Sequence, residues 1–188
     1  MYRDVPFSHN LDGGGAPPDK SNIAAAGCGI CVACMVVENL TLANFSIEEC
    51  IETAYQAGAT RKPGTEMSKL GPAVAERFGL TYSGTCDVEE LKAHLAAGGM
   101  AVANSGGDRE GYTGVFTHGG HYVLVVSGNA DEACILDPSM REGKYDEPER
   151  IGKVRVHRGF AYCSWNVLAE DCSNRSPSFH LFARSSDA

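Results

Sequence analysis

A cysteine at the start of an apolar helix is the first candidate for chemistry. Gly27-Cys28-Gly29 opens an apolar run over residues 29–40, which predicts a buried central helix. A thiol at a helix N-terminus lies near unpaired backbone N–H groups and the positive end of the helix dipole, and both stabilise the thiolate. Glycine on either side lets a substrate carbonyl approach. Cys28 is therefore a candidate nucleophile, although a single cysteine in an apolar run is more often structural.

A histidine and an aspartate supply the acid–base groups that this nucleophile requires. His121 follows two glycines and begins an apolar run over residues 121–127, which predicts a strand with the imidazole at the sheet edge. Asp137 ends the next apolar run, residues 133–136. If these strands form a hairpin, the two side chains lie near its open end and can hydrogen-bond. A carboxylate there would hold the imidazole in the tautomer that a catalytic triad requires.

The remaining patterns predict helices first and strands afterwards. Residues 1–27, with three consecutive glycines and a Pro-Pro pair, are expected to be loop-like, residues 28–99 helical and residues 100–184 a sheet. This order predicts an α+β fold in which a buried central helix packs on a mostly antiparallel sheet. No linker divides residues 1–188, which are interpreted as one domain, and residues 105–119 are expected to form a flexible rim. Three further helices are expected over about 46–58, 66–78 and 87–98, a short helix at 165–169, and strands at 100–104, 121–127, 133–136, 153–157, 160–164 and 179–183.

Composition and charge exclude several classes of partner. The chain has 188 residues and a net charge of −8 without a Lys/Arg cluster, which argues against nucleic acid or an anionic membrane. The longest apolar run, residues 30–37, is too short to span a bilayer. The N-terminus has no apolar signal core, so a cytoplasmic protein is expected. The sequence does not indicate an oligomeric state.

The cysteine pattern also suggests a metal site. Cys28, Cys31 and Cys34 follow a Cys-x-x-Cys-x-x-Cys spacing, which is found in iron–sulfur and zinc proteins. On a helix, however, Cys28 and Cys34 lie about 120° apart around the axis, and no fourth ligand has a suitable spacing. We therefore expect no metal and no cofactor, core packing for Cys31 and Cys34, and reduced thiols throughout the eight cysteines. His118 is interpreted as a bystander to His121, although the two could form a metal pair.

The motifs taken together resemble the papain-like cysteine peptidases. They are Gly-Cys-Gly at 27–29, Gly-His-Tyr-Val-Leu-Val-Val at 120–126 and Leu-Asp-Pro at 136–138. The chain is most similar to the branch related to the double-glycine leader peptidases of bacteriocin export. Val-Pro-Phe-Ser-His-Asn at 5–10 resembles the opening segment of that branch, which usually ends in Gln. The resemblance runs from Val5 to about Pro138, with a looser match through to the last strand.

The resemblance implies a papain-like fold and a role for each motif residue. Cys28 would be the nucleophile, His121 the base, Asp137 the orienter of His121, and Asn10 the oxyanion donor in place of Gln. Asn22, six residues before Cys28, is the alternative donor. The chain departs from many relatives in carrying Ile30 where they have Pro. The implied partner is a peptide or protein substrate, cut after small residues that are often glycine.

Three alternatives to a cysteine peptidase stay open at this stage. The same triad would act as an acyltransferase if an amine, rather than water, accepts the acyl group from the thioester. A non-catalytic module could keep the fold and use it to bind a peptide, although the intact Cys28, His121 and Asp137 argue against it. The third alternative is a metal-binding or redox protein built on the cysteine cluster.

Overall fold

A computed structural model of the chain describes residues 3–7, 22–61 and 64–185. By their contacts, the described residues group into two units. The first contains the residues up to Tyr82 together with Arg184 and Ser185, and the second is Ser83–Ala183. The interpretation of residues 1–188 as one domain stays a prediction.

The first unit is built around one buried helix. Its elements are α1 (Ile23–Ala26), α2 (Cys28–Leu40), α3 (Ile47–Gln56), the two-residue strands β1 (Thr60–Arg61) and β2 (Gly64–Thr65), and α4 (Met67–Phe78). Because α2 is apolar nearly all round, it is covered by α3 and α4, and Ile30, Val32, Val36 and Val37 are fully buried. The predicted buried central helix is therefore confirmed. Among the described residues, no helix combines the length and apolar character needed to cross a membrane.

Local capping signals set the ends of the helices as the sequence predicts. Ser46 and Glu49 form a capping box at the start of α3, each side chain bonding the backbone N–H of the other. Gly79 ends α4 in the left-handed region, at φ 65°, where a residue with a Cβ would be strained. Asp87 caps the next helix by accepting the Glu89 N–H. These ends are determined by neighbouring residues, which is why the sequence predicts them.

The second unit contains most of a seven-stranded sheet and two helices. Its elements are β3 (Leu80–Thr85), which begins in the first unit, α5 (Val88–Ala96), β4 (Met100–Ser105), β5 (His121–Gly128), β6 (Glu132–Leu136), β7 (Arg155–His157), β8 (Phe160–Ser164), α6 (Trp165–Cys172) and β9 (Phe179–Arg184). The strand order is β3-β9-β4-β5-β6-β8-β7. Neighbouring strands from β9 to β7 in this order are antiparallel. The predicted α+β class with an antiparallel sheet is confirmed.

Two regions differ from the expected layout. The segment expected to be loop-like contains the single-turn helix α1. Asn22 caps this turn, and Ile23 and Ala26 are buried. The part expected to be helical contains β1, β2 and the strand β3. The expectation missed β3 because the strand follows Gly79 directly and includes Gly84, and both glycines indicate a turn. These short elements depend on tertiary pairing rather than on a long periodic pattern.

Candidate active site

His121 and Asp137 form a buried hydrogen-bonded pair. His121 is the first residue of β5 and Asp137 follows the last residue of β6. Because these strands pair antiparallel, with Leu124 opposite Leu136, the two side chains meet at one end of the hairpin. His121 Nε2 lies 2.8 Å from Asp137 Oδ1, and both residues are 7% exposed. The predicted contact is therefore confirmed.

The pairing determines which imidazole nitrogen carries the proton. An ionised carboxylate only accepts hydrogen bonds, so Nε2 of His121 carries the proton that it donates to Asp137. Nδ1 is then the nitrogen that can accept a proton from a nucleophile in the neutral ring. Ser139 Oγ lies 3.1 Å from the same Nε2 and 3.1 Å from Asp137 Oδ1. The imidazole is thus held in one tautomer, which is the role proposed for Asp137.

The Asp137 carboxylate is held by a larger set of donors than a catalytic pair requires. Oδ2 accepts from Lys144 Nζ and, at 2.6 Å, from Tyr145 OH. Oδ1 accepts the Ser139 N–H at 2.9 Å in addition to His121. Lys144 and Tyr145 are themselves 3% and 4% exposed. The carboxylate is therefore held in one orientation, and its hydrogen bond orients the imidazole of His121.

The charges around Asp137 keep it ionised. Burial raises its pKa, but the hydrogen bond and charge of His121 and the Lys144 ammonium outweigh burial, so the pKa lies well below its usual range. Burial lowers the pKa of Lys144, and the Asp137 carboxylate opposes that shift. Burial and the same carboxylate raise the pKa of Tyr145, which therefore stays a hydrogen-bond donor. At neutral pH the cluster presents a charged acceptor to His121.

A second buried carboxylate, Asp171 of α6, anchors the loop that leads into His121. Asp171 is fully buried. Its oxygens accept hydrogen bonds from Ser105 Oγ, Tyr112 OH at 3.0 Å, Val115 N at 2.6 Å and Phe116 N at 3.3 Å. Ser105 is also the cross-strand neighbour of His121. Residues 105–119 were expected to form a flexible rim, but this carboxylate ties the loop to the core and Val115 and Phe116 are buried. The flexibility of the loop stays a prediction.

The same loop closes on itself just before His121. The Asp108 N–H donates to His118 O at 3.0 Å. Gly107 adopts φ +76°, and a Cβ there would lie 2.0 Å from Gly119 O. Only glycine allows this conformation and this close approach of two backbone segments. The backbone that enters β5 is thus positioned from both sides.

We expect Asp171→Asn to destabilise the protein by about 2 kcal/mol. An amide N–H₂ would replace one oxygen and face donors that need an acceptor, leaving buried N–H or O–H groups unpaired at about 1–3 kcal/mol. At this chain length the loss corresponds to a fall of about 4–8 °C in Tm, measured by thermal unfolding. Asp131→Asn, at an exposed turn position, is the matched control and should leave Tm unchanged. A Tm equal to that of the unmodified protein would show that Asp171 does not anchor the loop.

His118, the other histidine near this loop, has a different environment. Its Nδ1 lies 2.9 Å from Asp108 and its Nε2 lies 2.9 Å from Glu147, while its side chain is 55% exposed. The hydrogen bond to Asp108, and then the one to Glu147, raises the pKa of His118. Since carboxylates contact both nitrogens, neither is placed to exchange a proton with a thiol. The geometry supports the interpretation of His118 as a bystander.

The nucleophile candidate lies in the first unit. Cys28 is the first residue of α2, which has Gly27 as its N-cap, and the cysteine is half-buried. Burial and the neighbouring Cys34 and Cys28 thiols raise the pKa of Cys31 to about 12. Cys34 is buried with Sγ 3.7 Å from Ser46 O. Cys31 is only half-buried, so the expected core position is found for Cys34 but not for Cys31.

The eight cysteines are all free thiols. Burial raises the pKa of Cys50, Cys163 and Cys172, so these thiols stay protonated and behave as small apolar groups. In the parts of the chain that the structure describes, no group of three or more His, Cys, Asp or Glu side chains could hold a metal ion.

The structure describes only one of the two candidate oxyanion donors. Asn10 lies outside the described residues, so its role stays a prediction. Asn22 caps α1, with its Oδ1 accepting the Ala25 N–H at 3.0 Å. Its backbone also bridges to Pro6. The carboxamide oxygen of Asn22 thus has a structural role that its distance from Cys28 in sequence did not predict.

Sequence reasoning missed Lys144, Tyr145 and Asp171. The burial of Asp171 could have been predicted, because this residue lies three positions after Leu168 on the apolar face of α6, where a carboxylate needs partners. The burial of Lys144 could not, since residues 141–150 carry many charges and indicate a solvated loop. Only the fold shows that this lysine is buried against Asp137.

Comparisons with known proteins give no independent assignment. No known family model matches the chain, and no curated protein sequence is significantly similar to it. The interpretation of the site therefore depends on the contacts of these side chains and on the resemblance of the motifs.

Proposed function

We propose that this chain is a papain-like cysteine hydrolase that cleaves a peptide or amide bond. The observation that carries the proposal is the buried hydrogen bond of 2.8 Å between His121 and Asp137. It selects one tautomer of His121, in which Nδ1 is the nitrogen that exchanges the proton in the proposed reaction. The further donors from Ser139, Lys144 and Tyr145 keep the carboxylate ionised and oriented toward the imidazole. Cys28, at the first position of a buried helix, is the nucleophile.

In the proposed reaction, each residue has one role. The Cys28 thiolate attacks the substrate carbonyl, and the oxyanion forms near the N-terminus of α2, where backbone N–H groups point outward. The imidazolium of His121 protonates the leaving amine, which leaves a thioester on Cys28. His121 then accepts a proton from water, and the hydroxide hydrolyses the thioester. Asp137 stays ionised throughout and stabilises the imidazolium.

The arrangement of elements supports the papain-like assignment. Helices precede the antiparallel sheet, the nucleophile opens the buried helix, and the base opens a sheet strand. The opening segment and the Gly-Cys-Gly motif favour the branch of the double-glycine leader peptidases. A peptide with small residues before the cut is accordingly the proposed substrate class.

Labelling of the thiols tests the nucleophile. We expect iodoacetamide at pH 6 to modify Cys28 at least about 10²-fold faster than Cys31, because alkylation requires the thiolate and burial keeps Cys31 protonated. An epoxysuccinyl peptide, a general probe of cysteine peptidases, should attach to Cys28 alone. Peptide mapping by mass spectrometry would locate both labels.

Two variants control this labelling experiment. Cys28→Ala should remove labelling by the epoxysuccinyl probe, whereas Cys134→Ala, at a half-buried strand position outside the proposed site, should keep it. Faster alkylation of Cys31 or Cys34 than of Cys28 would contradict the nucleophile assignment. Labelling of Cys28 by iodoacetamide without any attachment of the peptide probe would favour a non-catalytic binding module.

A further inference from the structure

Cys28 and Cys31 are paired on one face of the first turn of α2. Residues three apart on a helix are neighbours, and standard helix geometry places their Cα atoms about 5 Å apart. This separation lies in the range of about 4.4–6.8 Å that disulfides bridge. The Cys31 N–H donates to Gly27 O at 2.9 Å, so the turn that carries both thiols is regular. The Cβ atoms of such a pair lie about 5–6 Å apart on a regular helix, so forming the bond brings them together to about 3.5–4.5 Å.

Exposure separates this pair from the other thiols of the first unit. Cys28 and Cys31 are both half-buried, whereas Cys34 and Cys50 are buried. Cys34 Sγ contacts Ser46 O and Cys50 Sγ contacts Ile30 O at 3.6 Å, both inside the helix packing. The first two residues of the Cys-x-x-Cys-x-x-Cys run are therefore more exposed than the third.

The charges give the two thiols different reactivities. Burial, Cys34 and Cys28 together raise the pKa of Cys31, so this thiol stays protonated. The position of Cys28 at the N-terminus of α2 makes it the thiol that reacts first in the proposal. Once the Cys28 sulfur is covalently bonded it carries no negative charge, and one of the causes that keep Cys31 protonated is removed. A more nucleophilic first thiol and a more protected second thiol are typical of Cys-x-x-Cys pairs in disulfide oxidoreductases.

We propose that Cys28 and Cys31 form a redox-active dithiol that exchanges with small disulfides such as glutathione disulfide. The Cys28 thiolate attacks one sulfur of the disulfide, which forms a mixed disulfide and releases one thiolate. Cys31 then loses its proton and attacks the Cys28 sulfur, which forms the Cys28–Cys31 bond and releases the second thiol. In total the protein dithiol is oxidised by two electrons, and one small disulfide is reduced to two thiols.

This chemistry goes beyond the proposed hydrolysis and does not require it. One consequence does depend on the proposed function: while the Cys28–Cys31 bond is present, Cys28 cannot attack a carbonyl, so hydrolysis stops until a thiol reduces the bond. Cys31 thus protects Cys28 from irreversible oxidation, since a disulfide is reducible whereas a sulfinic acid is not.

The test is oxidation of the native protein by glutathione disulfide, followed by intact-mass measurement and peptide mapping. We expect the unmodified protein to lose two hydrogen atoms and to contain a Cys28–Cys31 bond that dithiothreitol reverses. Cys31→Ser should instead stop at the mixed disulfide and gain one glutathionyl group on Cys28. Cys34→Ser is the matched control in the same helix and should behave like the unmodified protein.

The mass measurements separate the dithiol from the hydrolase. A stable glutathionyl adduct on Cys28 of the unmodified protein, or a bond from Cys28 to Cys34, would overturn the dithiol assignment, and neither result depends on Cys31→Ser folding. A protein that forms the Cys28–Cys31 bond but never reacts with the epoxysuccinyl probe would keep the dithiol and refute the hydrolase. If both assignments hold, oxidation should slow attachment of the probe at least about tenfold, with full recovery in dithiothreitol.

Discussion

Replacing His121 with alanine should lower kcat by about 10⁶-fold, which is the loss found when the histidine of a catalytic triad is removed. In the proposed mechanism the imidazole protonates the leaving amine and activates water, so this substitution removes both steps. A fluorogenic amide with Gly-Gly before the scissile bond would measure the loss. The rate of Cys28 alkylation at pH 6 should fall as well, and this second measurement needs no knowledge of the natural substrate.

His118→Ala is the matched control for His121→Ala. His118 lies three residues earlier in the same loop and is more than half exposed, and its ring nitrogens contact Asp108 and Glu147. We expect this variant to keep most of the activity. Equal losses from the two substitutions would refute the assignment of His121 as the base and would indicate a metal site or a shared structural role.

Lys144→Met should destabilise the protein by about 3 kcal/mol. Methionine matches the length of the lysine side chain but leaves the buried Asp137 carboxylate without its cation, and breaking a buried ion pair in this way costs about 3–5 kcal/mol. The lower value is expected because Tyr145 and Ser139 still donate to the carboxylate. Thermal unfolding should show a fall in Tm of about 6–12 °C.

The same substitution should change the response to acid. In the folded protein the pKa of Asp137 lies well below its usual value, so its ionisation contributes stability that is present above about pH 3.9 and is lost as the pH falls through the folded-state pKa. Without the Lys144 charge this pKa rises, and acid unfolding should begin at a higher pH than in the unmodified protein. An acid midpoint equal to that of the unmodified protein would show that Lys144 does not affect the pKa of Asp137.

Lys69→Met is the control for Lys144→Met. Lys69 is 53% exposed and pairs with Glu66 at 3.2 Å on the surface of α4. Exposed ion pairs of this kind contribute little to stability. We therefore expect its Tm and acid midpoint to match those of the unmodified protein. Comparable destabilisation by both substitutions would mean that loss of positive charge, and not loss of the buried pair, explains the effect.

The sequence alone determined the features that depend on neighbouring residues. The buried α2, the capped ends of α3 and α4, and the strands that begin at His121 and end before Asp137 follow from apolar periodicity and from residues three or four positions apart. The contact between His121 and Asp137 was predictable because an antiparallel hairpin brings the start of one strand beside the end of the next. The triad roles and the dithiol stay proposals.

Only the tertiary structure decided which polar residues are buried, and the physical reason is the range of the interaction. Lys144 lies in a charged segment with no local signal, and it becomes a partner of Asp137 because the chain folds back after β6. Asp171 accepts hydrogen bonds from Ser105, Tyr112 and Val115, which lie 56 or more residues away in the sequence. A sequence pattern records local propensity, whereas the desolvation of a charge and the donors that offset it depend on contacts between distant segments.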